Sequence, residues 1–283
     1  MILSFALLLV SVVSWIPFAD KTSTVAASDG VPIHYSVQGK GEPALVFIHC
    51  WACDSKLWEN QVPVFAKHYR VVTIDLPGHG ESGQDRKNWS VEGFAEDVNT
   101  VITKLKLKRV VLIGSSMGGP IAVEAARRMP DRVVGIVPVD TLQNVENKLP
   151  PQQLAEVMKQ LRADYKTAVT GLLNQFFFSA NTPVAVKNRI ISEVTSRPPE
   201  LAVRILEGIV AYDAAPALGK IKVPIRAINS DLNPTNLEVN RKYAPQFDAA
   251  IIKGTGHYPM LEAPEQFNEL LAKVLRDLPA QRK

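Results

Sequence analysis

The chain has 283 residues, 46% hydrophobic and 21% charged, enough for one large core and inconsistent with a disordered or fibrous polymer. Its formal charge of +4 comes from 32 Lys and Arg against 28 Asp and Glu, and the cations are scattered along the sequence. Their densest cluster, Lys104 to Arg109, falls between a helix and a strand and reads as a solvated helix end, so no nucleic-acid partner is expected.

Residues 2–19, ILSFALLLVSVVSWIPFA, carry no charge. Together with Met1 and Asp20 they read as a signal peptide or N-terminal anchor over 1–20, predicting an exported (periplasmic or secreted) or membrane-anchored protein. Membrane association is expected through this segment only. Thr22 to Ala27 reads as a first strand, joined through Asp29-Gly30 to a second at Ile33 to Val37. Cleavage after Ala27 would remove a strand, so a site near Ala19 or retention fits better.

Ala44 to Ile48 is a continuous apolar run ending at His49, the pattern of a strand buried on both faces. Cys50 and Cys53 follow in C-x-x-C spacing, which invites a thioredoxin-like reading. The serine and histidine segments described below argue against that, leaving two small core residues or, in an exported protein, a local disulfide. Ser55 to Lys67 is expected to be a crossover helix and Tyr69 to Ile74 the next strand, ending at Asp75. The Gly-rich loop Leu76-Pro77-Gly78-His79-Gly80-Glu81-Ser82 follows; Asp75 and His79 are expected to hold it rather than to catalyse. A helix from about Ser90 to Leu105 then leads to the strand Val110 to Ile113.

That strand runs into Gly114-Ser115-Ser116-Met117-Gly118-Gly119 and a helix at Ile121 to Met129, the strand-turn-helix context of a G-x-S-x-G nucleophile elbow. Val133 to Val139 is another strand, ending at Asp140. Three strand–helix alternations predict a mostly parallel α/β sheet with its active site at the carboxyl ends of the strands. Thr141 to Pro216 holds no β run and gives four helical stretches, Pro151–Arg162, Lys166–Phe178, Pro183–Ser196 and Pro199–Tyr212. The expected layout is a sheet domain over 21–140 and 217–283, with a helical cap over 141–216. Phe176 and Phe177 either line an apolar substrate pocket or belong to the core. The sheet resumes at Val223 to Ile228 and Ala249 to Ile252, and Pro264 to Leu275 closes the chain as a helix.

A serine hydroxyl is a weak nucleophile and needs a base within hydrogen-bond reach. His257, in the glycine-flanked loop after the last strand, is the candidate, although 141 positions separate it from Ser116 (257 − 116).

His49-Cys50-Trp51, the Asp75 to Ser82 loop, the Ser116 elbow and Gly256-His257 occur in an order that resembles the α/β-hydrolase family. The branch most resembled holds small-molecule esterases and cofactor-free haloperoxidases. The resemblance implies an α/β-hydrolase fold, a Ser-His-acid triad, oxyanion donors from the backbone N–H groups of Met117 and Trp51, and neither metal nor organic cofactor. Two positions depart from the family pattern. Cys50 stands where glycine usually follows the histidine, and Asn233 stands where the acid usually sits. Asp140 and Asp231 are the alternative acids, Asp140 preferred because other α/β-hydrolases supply their acid from that strand end. The implied activity is a carboxylesterase-like serine hydrolase acting on a small, largely apolar ester; the alternatives are a non-hydrolytic ligand-binding protein of the same fold or a cofactor-free haloperoxidase or perhydrolase.

Overall fold

The computed structural model describes residues 21–278. The expected signal peptide or anchor over 1–20 lies outside the described residues, among which no helix is long and apolar enough to cross a membrane. Strand β1 (Lys21–Ala26) pairs antiparallel with β2 (Pro32–Gln38). Their turn works because Gly30 takes φ +86° and the Val31 N–H donates to Asp29 Oδ1 at 3.2 Å.

Next come β3 (Ala44–Ile48), a 3₁₀ turn at Ser55–Trp58, the one-turn helix α1 (Val62–Phe65), β4 (Val71–Asp75) and α2 (Val91–Lys104). The single helix expected over Ser55 to Lys67 is therefore two short pieces. Pro63 has no N–H to continue a helix entering from Ser55, yet it fits the first turn of α1. Strand β5 (Val110–Ser115), helix α3 (Gly118–Arg128) and β6 (Val133–Val139) follow. Every residue of β3, β4, β5 and β6 is buried, in keeping with the mainly apolar runs that form them.

Five helices separate β6 from β7: α4 (Pro151–Ala163), α5 (Tyr165–Leu172), α6 (Val184–Thr195), α7 (Pro199–Val210) and α8 (Ala214–Leu218). The expected Lys166 to Phe178 helix stops at Leu172 and continues as one π-helical turn, Leu173–Phe177, closed by the Phe178 N–H donating to the Leu173 carbonyl at 3.1 Å. Strand β7 (Ile225–Ser230), α9 (Leu237–Tyr243), β8 (Phe247–Ile252), α10 (Pro259–Glu262) and α11 (Pro264–Asp277) complete the fold. Helices α8, α9 and α10, none longer than two turns, have no counterpart in the sequence expectation.

The eight strands form one sheet in the order β1-β2-β4-β3-β5-β6-β7-β8, parallel from β4 to β8. The chain steps from β3 outward to β4, then back past β3 to β5. One cluster of buried residues joins the sheet to α2, α3 and α8, and a second joins it to α1 and α11. The chain thus leaves the carboxyl ends of the neighbouring strands β3 and β5 toward opposite faces, opening a crevice between them.

Candidate active site

Ser116 sits between β5 and α3 with φ +50°, a left-handed backbone that costs a non-glycine residue about 1–2 kcal/mol. The surroundings enforce it: the Ser116 N–H donates to the Val139 carbonyl and its own carbonyl accepts the Gly119 N–H, both at 3.0 Å. A Cβ at Gly114 would fall on the Gly118 carbonyl, and one at Gly118 on the Ile48 carbonyl, so the turn needs glycine at both. Met117 begins α3, its N–H facing out of the helix start where no intrahelical acceptor exists.

Across the crevice, His257 Nδ1 and Asp140 Oδ2 lie 2.6 Å apart, joined over 117 positions. A carboxylate can only accept, so Nδ1 donates to it, and in the neutral tautomer this leaves the lone pair on Nε2. Among the described residues that Nε2 is buried and has no hydrogen-bond partner. The other oxygen of Asp140 accepts from the Ser230 N–H and Oγ, both at 2.7 Å. Burial would raise the Asp140 carboxyl, but the hydrogen bond and charge of His257 and the two Ser230 donors outweigh it and hold the group below its usual range. The histidine loop has its own anchors. The His257 N–H donates to the Phe177 carbonyl at 2.7 Å, and Glu262 accepts the N–H groups of Gly256 (2.8 Å) and Tyr258 (3.1 Å).

The loop after β3 is pinned from three sides. Cys50 and Cys53 form a disulfide with Cα atoms 5.5 Å apart, enclosing Trp51 and a left-handed Ala52 (φ +59°) in a four-residue ring. Within the core, the Leu76 N–H donates to His49 Nε2 (3.0 Å) and His49 Nδ1 donates to the Cys50 carbonyl (2.7 Å). From the helical side, Arg197 Nε donates to the Ala52 carbonyl (2.9 Å) and Trp51 Nε1 to the Ala202 carbonyl (2.8 Å). Burial pushes His49 down, and pushes His79 well down with His49 adding to it, so both imidazoles are neutral. Their rings meet at a tilt of 57°, centroids 4.8 Å apart.

Asp75 accepts the N–H groups of Ser55 (2.8 Å) and Glu81 (3.0 Å), tying two loops to the end of β4. Asp231 lies exposed and accepts the Gly254 N–H at 2.8 Å, a contact with the loop before His257 rather than with its ring. Asn233 is exposed and borders a cavity of about 700 Å³ that begins at Leu142, two residues past Asp140, and runs along Leu149, Ile209 and Tyr212. Phe177 meets the His257 ring edge-on, centroids 4.6 Å apart, whereas Phe176 is 53% exposed. Ser230, Glu262 and Arg197 were not singled out in the sequence. Ser230 and Arg197 act 90 or more positions away, Glu262 acts on the N–H groups of its own loop, and Ser230 alone left a trace, as a hydroxyl closing an apolar strand.

The family model for the alpha/beta hydrolase fold matches residues 43–222, more than half of the chain. Among curated relatives, the chain is 28% identical over 244 residues to a pimeloyl-[acyl-carrier protein] methyl ester esterase of Edwardsiella ictaluri, covering 81% of this chain and 92% of the relative. It is 27% identical to an (E)-2-((N-methylformamido)methylene)succinate hydrolase of Acinetobacter baylyi, covering 91% and 99%. Among solved structures, Est816, described as an N-acyl homoserine lactone degrading enzyme, superposes with a TM-score of 0.78 at 28% identity over 88% of this chain and 98% of that one. A thermophilic esterase from Thermogutta terrifontis has a TM-score of 0.79 at 23% identity, covering 92% and 99%, a likeness of fold. Sheet order, elbow and family match agree: this chain belongs to the α/β hydrolase family.

Proposed function

We propose that this protein is a carboxylesterase-like serine hydrolase that cleaves a small, largely apolar ester, or a related carbonyl compound, by acyl transfer. The observation that carries the reading is the 2.6 Å contact between His257 Nδ1 and the buried Asp140, at the same sheet edge as Ser116. Ser116 Oγ attacks the carbonyl carbon while His257 Nε2 takes its proton; Asp140 stabilises the imidazolium, and the Met117 and Trp51 N–H groups receive the developing oxyanion. Collapse expels the alcohol, which takes the proton back from His257. Water activated by the same nitrogen then releases the acid and restores Ser116.

Ester-bond hydrolysis as the reaction class accords with the named relatives, one on a methyl ester and one on a lactone. In this reading helices α4 to α8 act as a cap whose Phe177 and Ala202 carbonyls hold the histidine and oxyanion loops in place. A short-range disulfide and the apolar 1–20 segment both fit an exported or N-terminally anchored protein.

Fluorophosphonate labelling and hydrolysis of short p-nitrophenyl esters test the reading, and both should vanish in Ser116→Ala. Wild-type protein that neither labels nor cleaves any of a broad ester panel would refute it.

A further inference from the structure

Cations scattered in the sequence are gathered by the fold onto the amino edge of the sheet, the edge opposite Ser116. Parallel strands β4, β5 and β6 all begin there, and the residues entering them are Arg70, Arg109 and Arg132. Backbone bonds make these neighbours: the Ala44 N–H donates to the Arg109 carbonyl, the Leu45 N–H to that of Arg70, and the Val110 N–H to that of Arg132, at 2.8–2.9 Å. The turn from α2 into β5 adds Lys104, Lys106 and Lys108, all exposed. Lys40 joins them from the turn after β2, because Gly39 and Gly41 pack on the backbone of Ala66, His68 and Tyr69, beside the exposed Lys67.

Among the described residues none of these eight cations takes part in an ion pair. Helix dipoles attract cations to helix C-termini, which accounts for Lys104 in the last turn of α2, but not for Lys40, Lys67, Lys106 or Lys108 in loops. Among the described residues the acids beside these cations are Glu42 and Asp131, both exposed, and farther along the same edge Asp248 of β8 pairs with Arg241.

The chain also enters the fold at this edge. Lys21 pairs with Val37, which pairs with Val72, the second residue of β4; the uncharged apolar residues 2–19 are therefore attached beside Lys40 and Arg70. We propose that this amino edge is a docking surface for an anionic phospholipid membrane, which it meets alongside the N-terminal apolar segment, leaving the Ser116 crevice turned toward water. An apolar segment alone gives weak discrimination between lipids. A field of unpaired lysines and arginines next to it adds an attraction specific for negative headgroups, effective within about a Debye length.

The test is sedimentation of the full chain with phosphatidylglycerol and with phosphatidylcholine vesicles, beside Lys40→Gln/Lys67→Gln/Lys104→Gln/Lys108→Gln. The apolar segment contributes to both vesicle types, so the ratio of the two affinities isolates the basic edge. Wild type should prefer phosphatidylglycerol by on the order of 100-fold at low salt, and both the quadruple variant and 0.5 M salt should reduce that preference to below about 10-fold. Retained hydrolysis of a soluble p-nitrophenyl ester establishes that the variant is folded, and the salt titration of wild type needs no variant. Equal affinity for the two vesicles, or a preference unchanged by the substitutions and by salt, overturns the proposal. Tighter binding of a short DNA duplex than of phosphatidylglycerol at matched salt overturns it in favour of a nucleic-acid partner.

Discussion

The two edges of one sheet handle charge in opposite ways. In the crevice at the carboxyl edge three charged groups are buried or half-buried and each is answered: Asp140 by His257 and two Ser230 donors, Asp75 by backbone N–H groups, Arg197 by Asp54, Glu193 and the Ala52 carbonyl. At the amino edge the eight cations named above enter no ion pair among the described residues; the five lysines are exposed and the three arginines half-buried. A buried charge left without a partner costs several kcal/mol, so a crevice tolerates few and fixes each. In water, like charges repel weakly and can accumulate. The first arrangement makes geometry, the second makes a field.

Substitutions should therefore divide by edge. The largest effect belongs to Asp140→Asn, which removes the charge behind His257; kcat should fall by on the order of 10⁴, while Asp231→Asn stays within about threefold in the same ester assay. Equal losses would erase the distinction between the two acids. Arg197→Met, which frees the Ala52 carbonyl from the helical side, should lower kcat about 10- to 100-fold through misplacement of the Trp51 N–H, with a smaller change in KM.

Glu193 gives a third, smaller signal, in stability. Burial pushes its carboxyl up to about 7; the charge of Asp54 adds to this, while Arg197 and Arg189 offset part. Because the folded value lies above the ordinary 4.5, its contribution is complete below pH 4.5 and lost as pH climbs to 7. Glu193→Gln should melt with wild type near pH 4.5 and above it at pH 8 by about 3 °C, a difference of about 1 kcal/mol after screening. A constant offset across that range would remove the linkage. The smallest effect is expected at the other edge, where Lys104→Gln/Lys108→Gln should leave kcat on a soluble ester within about twofold and the melting temperature within about 1 °C.

What the sequence revealed follows the range of the forces involved. Strands β3, β5 and β6 were legible because burial on both faces leaves an unbroken apolar run, and the Ser116 turn because its tight backbone demands glycine on both sides of the serine. Asp140 was legible as a strand-end residue near Ser116 along the chain; its hydrogen bond to His257 forms over 117 positions. The two-piece segment at Ser55–Phe65 has its sequence signal in Pro63, which lacks the N–H a continuous helix needs. The π turn at Leu173–Phe177 was not readable, since helical periodicity barely changes over five residues. Ser230 escaped for a related reason: its partner Asp140 is brought to it by sheet register, which no local spacing encodes. The gathering of cations is a property of topology alone, because Lys40, Lys67 and Lys104 become neighbours only when the strands are laid side by side.

The ring closed by Cys50 and Cys53 changes when the loop after β3 acquires its shape. A glycine at position 50 would leave that backbone many conformations and let the substrate help to choose among them. Four covalently linked residues have few, so the Trp51 peptide is oriented once, when the sulfurs join, and not again at each turnover. If the Trp51 N–H receives the oxyanion as proposed, the entropy of arranging it belongs to the maturation of the protein and is absent from the barrier of the reaction.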